Sequence, residues 1–210
     1  MYTGIVQGLL PIHSVVRKPG LLTFSVLLPA DLSQELVTGA SIAINGACFT
    51  VTSINGAEVF FDAISETLAL TNIKAIEVGT LVNVERSAHA NAEVGGHVLS
   101  GHIIDTAEVV AVDDTENNRR VTFRGASQWM KYVFSKGYLA LNGASLTIAE
   151  VKGDQFAVNL IPETLRRTNF ALLAPRAQVN VEIDQQTQVI VDTVERVMAE
   201  RFAAEAAKAG

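Results

Sequence analysis

Side chains able to attack carbon or to transfer a proton near neutral pH are scarce in this chain. The 210 residues include a single cysteine, Cys48, and four histidines, at positions 13, 89, 97 and 102. A thiolate is a nucleophile, and an imidazole changes its charge close to pH 7. One thiol excludes an internal disulfide and a multi-thiolate zinc site, and the spacing of His97 and His102 matches no known metal-ligand pattern. We therefore expect acid–base or nucleophilic chemistry without a metal.

An internal repeat with an offset of 97 residues gives these side chains a context. Positions 41–85 and 138–182 align without a gap, and 16 of the 45 aligned pairs are identical, where average composition gives about three. The identities cluster at Asn-Gly-Ala (45–47), Glu-Thr-Leu (66–68) and Val-Asn-Val-Glu (82–85). A period this long indicates two small related domains, since solenoid repeats are much shorter.

The two copies differ where chemistry would need a difference. Three aligned pairs differ in their reactive groups: Cys48 with Ser145, His102 with Ile5, and Asp184 with Ser87. A thiol, an imidazole and a carboxylate therefore occur in one copy each. Structural interpretations remain open at this stage, since the thiol could be a small buried side chain, the imidazole a hydrogen-bonded turn residue, and the carboxylate a helix N-cap.

The elements that must position these groups are mostly β-strands. Positions 41–54 are rich in β-branched residues around Asn-Gly, which predicts a hairpin, and further strands are predicted at 58–63, 82–86 and 179–183. Short helical turns are predicted at 65–68 and 162–165, which have Ser or Pro near their starts. Many short strands with regular turns favour a closed barrel, because closure leaves no free edge.

The end of the chain is predicted to be a helix, from Thr187 to Ala207. An apolar stripe runs along it through Val191, Val194, Met198 and Phe202, and charged residues occupy the other faces. Two interpretations are open. The stripe packs on the same helix of other subunits, which predicts an oligomer, or it packs on its own barrel.

Composition narrows the classes of function. Hydrophobic residues make up 49% of the chain and charged residues 18%, which predicts a folded protein. The net charge of −6 disfavours a nucleic-acid partner, because phosphate binding needs a basic face. No apolar stretch approaches the roughly 18 residues of a membrane span, and no signal peptide is recognisable. We expect a cytoplasmic protein with neither a nucleic-acid partner nor a membrane partner.

Several motifs resemble those of the riboflavin synthase family. The start Met-Tyr-Thr-Gly-Ile is similar to that family's Met-Phe-Thr-Gly-Ile, and Gly-Gly-His-Val-Leu-Ser-Gly-His at 95–102 resembles its junction between halves. Asn-Gly-Ala at 45 and at 142 resembles its paired lumazine-binding motifs. The likeness covers about residues 1–200. The chain departs from the family at two positions. Tyr2 stands where the family has phenylalanine, and Ala47 stands where relatives often carry a second cysteine.

The resemblance implies an all-β fold with a C-terminal α-helix, made of two tandem six-stranded Greek-key β-barrels and assembled as a homotrimer. It implies lumazine-binding barrels at 1–97 and 98–186 and an oligomerisation helix at 187–210. In the family, the N-terminal barrel of one subunit faces the C-terminal barrel of another. The implied reaction is the dismutation of two 6,7-dimethyl-8-ribityllumazine molecules to riboflavin and 5-amino-6-ribitylaminouracil, without a cofactor or metal. Association with lumazine synthase is also implied.

The resemblance also implies which residues form the site. The implied catalytic residues are Cys48, His102, Ser145, Asn83 and Asp184. The implied substrate-binding residues of the first half are Thr3, Gly4, Ile5, Val6, Cys48, Phe49, Thr50, Asp62, Ala63, Ile64, Ser65, Glu66 and Thr67. Those of the second half are Gly101, His102, Ile103, Lys136, Ser145, Leu146, Thr147, Ile161, Pro162, Glu163, Thr164, Leu165 and Arg166.

Other interpretations of these positions remain open. Asn83 has a repeat mate, Asn180, so a structural role shared by both barrels competes with catalysis. Ser145 could hydrogen-bond a strand turn, and the Glu-Thr pairs could cap helices. Two rival functions are a non-catalytic antenna that binds lumazine or flavin and a barrel scaffold that only mediates assembly. An antenna would be expected to lose its second set of motifs, whereas a scaffold would bind no ligand.

Overall fold

The computed structural model describes residues 1–209 and contains two closed antiparallel barrels followed by a long helix. The strands of the first barrel are β1 (Gly8–Lys18), β2 (Leu21–Leu27), β3 (Ser41–Ile44), β4 (Ala47–Asn55), β5 (Glu58–Ile64) and β6 (Leu81–Arg86). Those of the second are β7 (Asp105–Thr115), β8 (Asn118–Arg124), β9 (Tyr138–Leu141), β10 (Ala144–Lys152), β11 (Gln155–Leu160) and β12 (Gln178–Ile183). The helices are α1 (Ala30–Ser33), α2 (Ser65–Leu70), α3 (Ser127–Met130), α4 (Pro162–Arg167) and α5 (Gln185–Ala209), with 3-10 turns at Asn72–Ala75 and Asn169–Leu172.

Both barrels have the same strand order. The first closes as β1-β2-β5-β4-β3-β6, and the second as β7-β8-β11-β10-β9-β12. The fourth strand of the run β3 to β6 returns beside the first, which is a Greek-key connection. The predicted fold class, two six-stranded barrels with a C-terminal helix, is therefore confirmed.

Alternation along the strands decides which side chains face outward. In β4 the side chains of Ala47, Phe49 and Val51 are buried in the barrel, whereas Cys48 and Thr50 are exposed. Each barrel has its own aromatic core. Phe24 lies 5.1 Å from Phe49 and 5.3 Å from Phe61 in the first, and Phe123 lies 5.3 Å from Phe156 in the second. Each barrel thus fills its own core with the inward side chains, and the outward side chains, such as Cys48, are available to line a binding site.

The barrels meet at their Asn-Gly turns. Asn45, Gly46, Asn142 and Gly143 all have positive φ, between 43° and 80°, as a two-residue hairpin turn of type I′ requires. The turns touch, because a Cβ on Gly46 would lie 2.5 Å from the backbone nitrogen of Gly143. Any side chain at either glycine would therefore push the barrels apart.

Two short segments cross between the barrels, and we call them strap 1 (residues 2–6) and strap 2 (residues 99–103). They pair with each other through Tyr2 and Leu99, whose backbone hydrogen bonds measure 2.8 and 2.9 Å. Val6 of strap 1 then joins the core of the second barrel, and Ile103 of strap 2 packs on the core of the first. Each strap therefore covers the barrel of the opposite half.

The helix α5 begins after Asp184, whose carboxylate accepts hydrogen bonds from the backbone N–H (2.9 Å) and the hydroxyl (2.6 Å) of Thr187. Its first turns dock on the second barrel, where Lys131 lies 3.2 Å from Asp192 and 2.6 Å from Glu195. Beyond that contact the apolar residues Val194, Met198 and Phe202 are exposed, whereas Val191 is half-buried. Among residues 1–209, none of the helices combines the length and hydropathy needed to cross a membrane.

Candidate active site

The outward face of β4 and strap 2 enclose a pocket of 370 Å³, which we call the Cys48 pocket. Its lining consists of Ala47, Cys48, Glu66, Thr67, Leu70, Thr71, Gly101, His102 and Ile103. The first barrel supplies the thiol and the α2 residues, and the second half of the chain supplies the imidazole. The structure thus brings together two of the three reactive groups that the repeat comparison singled out, Cys48 and His102, but not Asp184.

A pocket of 150 Å³ lies at the equivalent place on the second barrel, and we call it the Ser145 pocket. Its lining consists of Gly4, Ile5, Val6, Ala144, Ser145, Leu146, Glu163, Thr164, Arg167 and Thr168. Every residue that lines the Cys48 pocket has its repeat mate, 97 positions away, in this lining. Two sites of one design therefore sit on the two barrels.

The straps approach the barrels so closely that glycine is required at their centres. Gly4 and Gly101 have φ of 75° and 81°, a region that side chains disfavour. A Cβ on Gly101 would lie 2.6 Å from the Cβ of Cys48, and one on Gly4 would lie 2.6 Å from that of Ser145. The carbonyl of each glycine accepts a hydrogen bond from the facing backbone N–H, at 3.0 Å from Cys48 and 2.9 Å from Ser145.

Cys48 has a buried phenol as its neighbour. The hydroxyl of Tyr2 donates to the sulfur of Cys48 across 3.1 Å, and Tyr2 itself is 2% exposed. Burial raises the pKa of Tyr2 above its ordinary value, and the contact with Cys48 raises it further. The phenol therefore keeps its proton and can donate to a thiol or thiolate. The departure from the family's phenylalanine at position 2 thus introduces a hydrogen bond.

Ser145 has a buried imidazole as its neighbour. Nδ1 of His97 lies 2.6 Å from the hydroxyl of Ser145, and its ring stacks on Tyr138 with 5.3 Å between ring centres. Burial lowers the pKa of His97, and Asp184 partly opposes that shift. A neutral imidazole at this distance can accept the serine proton, which is the arrangement that activates a serine hydroxyl.

His97 was absent from the predicted site residues, and the reason lies in the repeat. The offset of 97 pairs His97 with Val194, which lies in α5 outside both barrels, so the comparison of the two copies contains no information on His97. Its Nε2 atom is buried and lacks a hydrogen-bond partner among the described residues. A buried, half-satisfied ring is costly in a core, so it is an independent sign of a functional position.

The two pockets also differ in charge. Glu163 forms ion pairs with Arg166 and Arg167 on α4. The equivalent positions on α2, beside Glu66, are Ala69 and Leu70. Two guanidinium groups therefore stand beside the Ser145 pocket, whereas the equivalent carboxylate of the Cys48 pocket has apolar neighbours on its helix.

The remaining predicted residues divide into two groups. The first group lines one of the two pockets and consists of Gly4, Ile5, Val6, Cys48, Glu66, Thr67, Gly101, His102, Ile103, Ser145, Leu146, Glu163 and Thr164. Outside both linings are Thr3, Phe49, Thr50, Asp62, Ala63, Ile64, Ser65, Lys136, Thr147, Ile161, Pro162, Leu165 and Arg166. Within this second group, Phe49 and Ala63 belong to the barrel core, whereas Thr50, Thr147, Ile64 and Ile161 are exposed.

Two predicted catalytic residues lie outside both linings. Asn83 is buried at the barrel junction, where its amide donates to the carbonyl of Asn142 (2.9 Å) and accepts from the N–H of Asn169 (2.8 Å). Its mate Asn180 makes the corresponding bonds to Asn45 and Asn72. Asp184 caps α5. Both side chains are satisfied by structural partners, which is the alternative interpretation that the sequence left open for each.

Comparison with known proteins decides the family. The sequence model of the lumazine binding domain matches the chain twice, at residues 3–87 and 100–184. The riboflavin synthase of Escherichia coli (strain K12) is 51% identical over 202 residues, which cover 96% of this chain and 95% of that protein. The chain belongs to the riboflavin synthase family. The Chlamydia pneumoniae riboflavin synthase is 39% identical and covers 95% of this chain and 98% of its own length.

Two solved structures of another protein, LumP, are similar to this chain over most of its length. The crystal structure of LumP complexed with 6,7-dimethyl-8-(1'-D-ribityl) lumazine covers 88% of this chain and 100% of LumP, with 26% identity and a TM-score of 0.80. The structure of LumP complexed with riboflavin covers the same fractions, with 28% identity and a TM-score of 0.81. The family resemblance read from the motifs is therefore confirmed.

Proposed function

We propose that this chain catalyses the dismutation of two 6,7-dimethyl-8-ribityllumazine molecules to riboflavin and 5-amino-6-ribitylaminouracil. The observation that carries the proposal is the pair of equivalent pockets, whose frames match residue by residue while their reactive groups differ. A reaction between two identical molecules needs two similar sites with unequal chemistry. The family relationship at 51% identity supports the same reaction.

The chemistry suits a protein that only holds its two substrates in position and transfers protons. The two products together contain the atoms of two lumazines, so the net reaction needs no oxidant, reductant or added water. Holding two reactants at near-attack distance is worth about 7–11 kcal/mol. The remaining tasks are to remove protons from the acidic 7-methyl group, to return them, and to stabilise the anion.

We assign these tasks to the groups of the two pockets. Cys48, with Tyr2 donating to its sulfur, polarises the acceptor lumazine or adds to it. His102, exposed in the same pocket, transfers protons. In the other pocket the pair of Ser145 and His97 supplies a second base. The α2 and α4 residues at the mouths, Glu-Thr in each case, suit the hydroxyl groups of the ribityl chains.

The assembly we propose is a homotrimer in which the Cys48 pocket of one subunit faces the Ser145 pocket of the next. The exposed apolar side chains of α5 beyond its docked turns support a role for this helix between subunits. Truncation after Gln186 should convert the oligomer to monomers in analytical ultracentrifugation. A truncated chain that keeps its mass would assign the contacts to the barrels.

A lumazine synthase is the natural partner within a cytoplasmic setting. The released pyrimidine lacks the four carbons that the substrate carries, so an enzyme that rebuilds lumazine from it would recycle the product. Co-sedimentation of the two proteins at physiological salt tests this association, and separate sedimentation would limit the link to diffusion.

The turnover assay tests the proposed function. Purified protein given 6,7-dimethyl-8-ribityllumazine should form one riboflavin for every two lumazines consumed, without added metal or nucleotide. The LumP structures favour one other candidate, a protein that binds lumazine or flavin without converting it. Tight binding of lumazine with no riboflavin formed would favour that candidate, and no binding would reject both.

A further inference from the structure

Strap 2 is held in place by one buried carboxylate of the second barrel. Glu182, on β12, is 4% exposed. Its Oε1 accepts hydrogen bonds from the backbone N–H (2.7 Å) and the hydroxyl (2.8 Å) of Ser100, and its Oε2 accepts from the N–H of Gly101 (3.0 Å). The segment that carries His102 is thus fixed from the barrel opposite to its pocket.

Strap 1 is held by the repeat mate of that carboxylate. Glu85, on β6, is 3% exposed. Its Oε1 accepts from the backbone N–H (2.6 Å) and the hydroxyl (2.8 Å) of Thr3, and its Oε2 accepts from the N–H of Gly4 (3.2 Å). The donors match those of the other copy in kind and in order. The arrangement therefore belongs to the common design of both halves.

The two attachments are crossed. Glu182 belongs to the second barrel, yet the strap that it holds completes the Cys48 pocket on the first barrel. Glu85 belongs to the first barrel, yet its strap completes the Ser145 pocket on the second. Through Gly101 and Gly4 each strap also bonds the backbone of the reactive residue that it faces.

We propose that Glu182 and Glu85 are crossed positioning residues, each of which shapes the ligand pocket of the barrel to which it does not belong. This inference rests on the proposed function for the identity of the ligand, a lumazine or flavin ring. In this proposal neither carboxylate touches the ring. Each acts through the strap, by fixing where Gly101 and His102, or Gly4 and Ile5, meet the pocket.

The chemistry of the attachment requires a carboxylate. Three donors converge on each side chain, and an ionised carboxylate offers acceptors on both oxygens. Burial raises the pKa of Glu85 and of Glu182, and the donors of the straps oppose that shift. Glutamine has the same shape but replaces one acceptor with an N–H donor. It would therefore point a donor at strap donors and release part of the strap.

The single cysteine makes the crossing measurable. Cys48 is exposed in its pocket, so riboflavin bound there should slow alkylation by iodoacetamide, and the concentration that gives half protection reports on the pocket that holds the thiol. The double variant Cys48→Ser, Ser145→Cys moves the thiol to the equivalent place in the other pocket. The two backgrounds report on the two pockets separately.

In the native background, Glu182→Gln should raise the riboflavin concentration for half protection by about tenfold or more, the loss expected when charged hydrogen bonds are broken. Glu85→Gln should leave it within about twofold. In the background with the moved thiol, the two variants should exchange effects. Circular dichroism and thermal unfolding check that each variant is folded.

Milder variants keep the test decisive if a glutamine variant does not fold. Ser100→Ala and Thr3→Val each remove one hydroxyl donor, and the same crossed pattern is expected with shifts of about two- to fivefold. Equal shifts in both backgrounds, or an uncrossed pattern, would overturn the inference. Crossed shifts in a protein that binds riboflavin but forms none would uphold it while rejecting the proposed reaction. Absence of protection in the native chain would overturn both.

Discussion

The Cys48 pocket and the Ser145 pocket have one backbone design and two sets of reactive groups. In the first, an exposed thiol receives a hydrogen bond from a buried phenol, and an imidazole stands on the strap. In the second, a hydroxyl contacts a buried imidazole, and isoleucine occupies the strap. Under the proposed function, the common frame would let both sites hold the same molecule. The differing side chains would let two identical molecules be treated differently.

The largest expected effect concerns His102, which marks the difference between the straps. His102→Ala should lower kcat by about 10²-fold or more, the usual contribution of a general acid–base group. Lumazine affinity should change less than about threefold, since the strap backbone is kept. Ile5→Ala at the equivalent position is the control and should affect affinity more than kcat. Equal losses of kcat in both variants would remove the distinction between the pockets.

The next effect concerns the pair in the other pocket. Ser145→Ala and His97→Ala should each lower kcat by roughly 10²-fold, and the double variant should be no slower than either, because groups that act as a unit are not additive. If the loss of kcat in the double variant equalled the product of the two single losses, Ser145 and His97 would act independently.

The same pair predicts a pH dependence. A base must be neutral to act, and burial lowers the pKa of His97. Activity that depends on it should therefore persist below the ordinary histidine range and fall only as the pH passes through the lowered pKa. A profile that falls at the ordinary histidine pKa would point to an exposed imidazole instead.

A smaller effect, shared by both halves, is expected at the junction. Asn83→Ala removes the hydrogen-bond partner of the Asn142 carbonyl and of the Asn169 N–H. Leaving these buried groups unpaired should lower the free energy of unfolding by about 2 kcal/mol or more. Asn180→Ala should cost a similar amount. Chemical denaturation measures both, and kcat of the folded fraction should stay within a few-fold. A selective loss of kcat in the Asn83 variant would instead support its predicted catalytic role.

The smallest effect sharpens the contrast between the two buried neighbours. Tyr2→Phe keeps the ring and removes one hydrogen bond of about 0.5–1.5 kcal/mol, so alkylation of Cys48 at constant pH should slow by roughly two- to tenfold. Tyr138→Phe, which keeps the ring that stacks on His97, is the matched control and should leave that rate unchanged. Equal rates in all three proteins would mean that the phenol does not act on the thiol.

Part of the fold was predictable because several elements carried a local signal, whereas the six strands of each barrel and their Greek-key order were implied only by the family resemblance. The Asn-Gly turns, the alternation in β4 and the stripe of α5 are properties of neighbouring residues, and the offset of 97 shows that the barrels repeat. Of the residues that line the pockets, Cys48 and His102 could be singled out from the sequence because the two copies differ at these positions. The division at 97/98 and 186/187 and the individual residue roles remain predictions.

The remainder depended on contacts between residues far apart in the chain. The offset of 97 pairs His97 with a residue of α5 outside the barrels, and the contact of His97 with Ser145 spans 48 positions. The assignment of Asn83 to the junction depends on partners 59 and 86 positions away. The exchange of straps left no local trace, because glycine at positions 4 and 101 is equally compatible with an ordinary turn. Contacts of this kind follow from tertiary structure and are absent from any window of the sequence.

The exchanged straps have a consequence for synthesis. During translation the first barrel emerges with Cys48 already in place, but its cover arrives with residues 99–103, and the carboxylate that holds the cover arrives only at position 182. The ribosome therefore releases nearly the whole polypeptide before either binding site is finished. A chain that ends before position 182 therefore lacks the carboxylate that holds strap 2 over the Cys48 pocket.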